Sequence, residues 1–196
     1  MRLFALLLLT AAAATPAFAA EEHRELGVHE HGRGTLNIAV EGNKVTMELE
    51  VPGVDLVGFE HAAKTSRDKS AVEKAKTQLM APLGLFALPA SAACRVTEAK
   101  VEVEIGEHDH DAKGEPHGAK DAGAGKGTAK SEGHSEFHAQ YALECAAPGN
   151  MTAIEFGYFR AFARAQKLDV NVITPKGQSK FEVTRSNPSL SLAGMI

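Results

Sequence analysis

Four histidines, His108, His110, His117 and His134, lie in the segment Gly106 to Glu136, interspersed with Asp109, Asp111 and Glu115. The segment holds seven glycines, several lysines and no large apolar residue. Such a composition cannot bury a core, so the segment reads as a mobile insert. Imidazoles and carboxylates on a loop that cannot fold alone point to metal capture. A tetrahedral zinc site needs only three or four such donors, and a loop can gather them as the ion binds. The entropy of ordering it limits affinity and eases exchange. The plainer reading is a solvated linker that happens to carry histidine.

Further donors flank the insert. His138 sits just beyond it, and His29-Glu30-His31 repeats the imidazole spacing of His108-Asp109-His110. In an extended segment residues i and i+2 point the same way, so His29 and His31 can reach one ion while Glu30 faces elsewhere. The competing reading is a solvated N-terminal tail. Glu60-His61 places a carboxylate beside an imidazole, either as ligands or as an ordinary helix-start acid next to a surface histidine.

Imidazole and carboxylate suit Zn(II) first and Cu(II) or Ni(II) nearly as well; the five scattered methionines form no thioether cluster for Cu(I). Magnesium and calcium prefer oxygen-only cages. The chain has no His-Glu-x-x-His, no nucleophile elbow and no phosphate-cradling glycine loop between a strand and a helix. A non-enzymatic metal binder is therefore expected.

Residues 1–19 have the form of a secretory signal: Arg2, a short apolar run from Leu3 to Ala14, and the small-x-small motif Ala17-Phe18-Ala19. The run is too short to span a bilayer, so cleavage without membrane insertion is expected. Residues 20–196 then form a single domain, with 20 basic against 25 acidic side chains. That balance argues against a nucleic-acid partner and is compatible with cations. In an exported chain Cys94 and Cys145 favour a disulfide, with a free thiol or a cysteine ligand as the alternative.

The elements that must position these groups follow from periodicity. Thr35 to Val40 and Val45 to Val51 alternate apolar and polar about Gly42-Asn43, which predicts a hairpin. Ser66 to Met80 changes to a helical period, with Val72, Ala75, Leu79 and Met80 on one face and Thr65 or Ser66 as cap. Val101, Val103 and Ile105 alternate in one arm of a second hairpin, and Phe137, Tyr141 and Leu143 in the other, with the insert at the tip. Pairing Cys94 opposite Cys145 in simple register sets His138 against Val101, so a bulge or a cysteine outside the ladder is expected. A strand over Thr152 to Phe156, a helix over Tyr158 to Gln166, and a third hairpin of Val170 to Thr174 and Phe181 to Thr184 about Lys176-Gly177 complete the reading. The predicted class is α+β: a largely antiparallel sheet of three hairpins with two helices on one face.

His29-Glu30-His31-Gly32, Leu36 to Gly42, Pro52, Gly58-Phe59-Glu60-His61, Leu85-Phe86, Cys94 and the run Glu136 to Cys145 resemble the ZrgA-like family of zinc-regulated periplasmic proteins of Gram-negative bacteria. The resemblance covers nearly the whole mature chain. It implies a periplasmic zinc-binding protein that scavenges or delivers Zn(II) in high-affinity uptake, alongside an outer-membrane receptor and an inner-membrane importer. It also implies that His29, His31, Glu60 and His61 form a site on the folded domain, beside the donors of the insert. With four histidines in the insert, one or two ions is the expected load. The competing functions are an envelope scaffold that uses no metal and a copper or nickel binder.

Overall fold

The computed structural model describes residues 30–106 and 134–196. The expected signal segment and His29 lie outside the described residues, as do His108, Asp109, His110 and His117.

Strand β1 (Arg33–Glu41) and strand β2 (Lys44–Pro52) alternate buried and open residues along their lengths. They turn at Gly42-Asn43, where Gly42 adopts φ 58°, as a type II′ turn requires at its first central position. Helix α1 (Gly53–Val57) follows at once and ends at Gly58, whose φ of 88° is left-handed and whose N–H bonds the Val54 carbonyl. Helix α2 (Ser66–Leu79) opens on a capping box: Asp68 N–H donates to Thr65 Oγ1 at 3.1 Å, and Thr65 N–H donates to Asp68 Oδ2 at 3.1 Å. Ala75 and Leu79 are buried, but Met80, expected on the same face, is 49% exposed. It is the C-cap residue, a further 100° around the axis from Leu79.

Helix α3 (Pro82–Leu85) and strand β3 (Phe86–Ala87) lead into strand β4 (Cys94–Gly106), and strand β5 (His134–Cys145) returns beside it. Then come strand β6 (Ala153–Phe156), helix α4 (Tyr158–Ala161), strand β7 (Lys167–Thr174), strand β8 (Gly177–Thr184) and strand β9 (Ser189–Ser191). A six-stranded sheet has the order β4-β5-β2-β1-β7-β8, antiparallel throughout except for the parallel pair β1 and β7. A second sheet, β3-β6-β9, is antiparallel. The class is α+β with a mostly antiparallel sheet, as expected. The described residues hold four helices rather than two, and three of them are five residues or shorter.

One face of the large sheet, through Leu36, Ile38, Leu49, Phe137, Tyr141 and Val170, merges with Leu79, Phe86 and Tyr158 in one hydrophobic cluster. The opposite face carries the polar members of the same strands.

Cys94 and Cys145 are joined in a disulfide and stand directly opposite each other. The expected bulge is present: the register shifts between Val96 and Glu98, so that Val101 meets Ala139 and Glu102 meets His138. The ladder continues to Gly106 opposite His134, so the expected limits of the insert are too wide at its C-terminal end. Ser135 and Glu136 are buried strand residues, 5% and 7% exposed. Backbone pairing with both β2 and β4 holds these polar residues in extended form where composition alone reads loop.

The helix expected over Tyr158 to Gln166 stops at Ala161. Phe162 turns extended, and the carbonyls of Phe159, Phe162 and Ala165 accept hydrogen bonds from the Arg185 guanidinium at 2.7, 2.7 and 2.6 Å. A planar fork of donors replaces the missing helical bonds. Similarly, β7 begins three residues before the expected Val170, drawn into register by Arg33 opposite Lys167, and the β7–β8 turn is Pro175-Lys176 rather than Lys176-Gly177. Arg185→Lys keeps the charge and loses the fork, and should cost about 2–3 kcal/mol of stability. Urea unfolding checks this; an unchanged midpoint would show that the carbonyls find other partners.

Candidate metal centre

The site begins at a tight turn. Arg33 N–H donates to the Glu30 carbonyl at 3.1 Å, and Gly32 sits at φ 84°, the third-position geometry of a type II turn that glycine adopts without strain. The turn is fixed from outside as well. The Gly32 carbonyl accepts from the N–H groups of Gln166 and Lys167, both at 2.9 Å, and the Gly32 N–H donates to Asp55 Oδ1 at 2.8 Å. Arg33 adds an ion pair to Asp169 at 2.7 Å, which draws the Asp169 carboxyl below its ordinary range. His31 is thus held at the lip of β1 with its ring largely exposed.

Glu60 arrives from α1. Gly58 reverses the chain at the helix end, and a Cβ there would lie 2.9 Å from Arg164 Cζ, so the Gly58-Phe59-Glu60-His61 turn needs glycine for both conformation and space. Phe59 and His61 stack with ring centroids 4.7 Å apart, and His61 Nδ1 lies 3.1 Å from the Ala62 carbonyl. Glu60 points the other way. Its Oε1 stands 3.0 Å from His31 Nε2 and its Oε2 stands 2.6 Å from His134 Nδ1. The Glu60 side chain is only 13% exposed, and Oε1 is sealed from solvent with no aligned hydrogen bond.

His134 reaches Glu60 from the first residue of β5, and the same strand face carries Glu136 and His138. His138 is ringed by carboxylates from three strands: Glu136 at 3.1 Å, Glu104 at 3.6 Å and Glu50 at 3.8 Å. Contact with Glu136 above all, then Glu104 and Glu50, raises the His138 pKa, against a burial cost that favours the neutral ring.

Of the residues marked out in the sequence, His31, Glu60 and His134 meet; His61 is turned away on Phe59; His138 belongs to a separate glutamate group. His134 is a strand residue rather than part of the insert. Asp55, Glu50, Glu104 and Glu136 were not singled out, although Glu136 and His138 have the two-residue spacing used elsewhere to find donors. Asp55 left no such signal. Among the described residues no three donor side chains stand ready around one metal position.

A model of a family described as ZrgA family zinc uptake protein matches residues 28–192. The chain belongs to the ZrgA family. Membership ties it to zinc uptake, and the matched span contains His31, Glu60, His134 and His138. The resemblance to the ZrgA-like family is thereby shown. No curated protein matches the chain.

In the zinc-free ZrgA-family chain, the His138 ring should titrate above the ordinary imidazole value of 6.5. The sign follows from the raised pKa: stability from His138 is complete below 6.5 and disappears as pH rises through the folded-state value. Nuclear magnetic resonance of the His138 ring protons checks this, and Glu136→Gln should lower the midpoint. A midpoint unmoved by Glu136→Gln would remove Glu136 as the cause.

Proposed function

We propose that this protein is a non-enzymatic periplasmic zinc binder, exported by its N-terminal signal, that scavenges or delivers Zn(II) in a high-affinity uptake system. Its first ordered site uses His31, Glu60 and His134. The observation that carries the reading is the Glu60 carboxylate. It is nearly buried, one oxygen lacks an aligned hydrogen bond, and two imidazoles from separate segments converge on it. A buried acceptor in this state is short of a cation. Imidazole and carboxylate together make a zinc donor set. A bound ion would be held by the Glu60 carboxylate and the deprotonated imidazole nitrogens of His31 and His134.

His29, together with His108, Asp109, His110 and His117, supplies further donors on this reading; His61 and His138 serve at most from the periphery. An outer-membrane receptor and an inner-membrane importer are the partners expected of such a carrier. No helix among the described residues is long and apolar enough to cross a membrane.

Calorimetry of the mature, untagged protein tests the site. Zinc should bind more weakly at pH 5.5 than at pH 7.5, because proton and metal compete for the same imidazole nitrogens. Glu60→Gln should weaken binding about 10-fold or more at pH 7.5. Equal affinity at both pH values would take histidine out of the mechanism, and a Glu60→Gln protein that binds as wild type would move the site elsewhere.

A further inference from the structure

A second carboxylate, Asp55, bonds the residue after His31 and interacts electrostatically with both His31 and Glu60. Asp55, in α1, is 3% exposed. Its Oδ1 accepts the Gly32 N–H at 2.8 Å and so anchors the turn that carries His31. Its Oδ2 is buried with no hydrogen-bond partner. Among the described residues no lysine or arginine forms an ion pair with it. Burial pushes the Asp55 carboxyl above its ordinary value; the Gly32 N–H and then His31 oppose that rise, and Glu60 adds to it.

The hydrogen bond alone does not account for an aspartate here. Asparagine has the same shape, offers the same acceptor oxygen to Gly32, and avoids placing a carboxylate in the core, where an unpaired charge is costly. A second carboxylate next to Glu60 adds repulsion in the absence of a cation and removes it when a divalent ion is bound. Carboxylates behind imidazole ligands orient them and strengthen metal binding.

We propose that Asp55 is a positioning residue of the zinc site: Oδ1 fixes the His31 turn, and the buried negative charge stabilises the ion held by His31 and Glu60. The inference rests on the zinc reading of those two residues. It assigns the fold's requirement to an acceptor oxygen and the metal's requirement to the charge, and the two are separable by substitution.

The test compares wild type, Asp55→Asn, Asp55→Ala and Glu60→Gln as full mature chains. The readouts are thermal unfolding without metal and zinc affinity by competition with a chromophoric chelator, at a temperature where each apo protein is folded. Asp55→Asn should melt at or above the wild-type temperature yet bind zinc about 10- to 100-fold more weakly. Asp55→Ala should lose both melting temperature and affinity. Wild-type affinity in Asp55→Asn alongside weakened binding in Glu60→Gln would reduce Asp55 to a turn anchor and overturn the proposal. An Asp55→Asn chain that does not fold would overturn it too, since asparagine keeps the acceptor the fold is said to need. If Glu60→Gln itself binds normally, the failure belongs to the zinc site and not to Asp55.

Discussion

The placement of β5 between β2 and β4 governs everything that the site contains. Phe137, Ala139, Tyr141 and Leu143 enter the core from one face of this strand, and His134, Glu136 and His138 stand on the other. A slip of one residue would exchange the two sets, burying imidazoles and exposing aromatics, so the hydrophobic core holds the histidines outward. The disulfide alone would impose a different register from the one this alternation needs. The bulge between Val96 and Glu98 reconciles them, letting Cys94 face Cys145 while Glu102 faces His138. The covalent clamp and the donor array thus occupy opposite ends of one strand pair.

Against that strand, two short segments with little regular structure bring in the remaining groups. The Glu30–Arg33 turn and the Gly58–His61 turn each depend on one glycine at positive φ; Asp55 bonds the first, and the Arg164 guanidinium lies close over Gly58 in the second. Neither turn is long enough to define a conformation alone. Their positions are inherited from β1 and α1, which pack on the core within a few residues of the donors. This arrangement sets a nearly buried carboxylate between two exposed rings.

The two histidine environments have different electrostatics. His31 and His134 share the single carboxylate of Glu60, whereas His138 is surrounded by Glu50, Glu104 and Glu136 and is drawn toward its protonated form.

Much of this was legible in the residues themselves. Strict alternation fixed the hairpin of β1 and β2 and the inner face of β5, because a strand half in water must alternate. Thr65 or Ser66 ahead of Asp68 marked the start of α2, and the cysteine register called for a bulge or a cysteine outside the ladder; the structure has Thr65 as the cap and the bulge. The types of donor, imidazole and carboxylate, and their grouping with Gly58 to His61 already pointed to zinc. Other features depended on contacts between residues far apart in the chain. The early end of α4 follows from Arg185 capping its carbonyls; the strand character of Ser135 and Glu136 follows from pairing on both sides; the parallel contact of β1 with β7 sets where β7 begins. Local pattern determined which residues are candidate donors and which faces are apolar. Only the packing of three separated segments decided that Glu60 turns toward His31 and His134 rather than toward its neighbour His61, because a side chain's partner is chosen by space and not by position in the sequence.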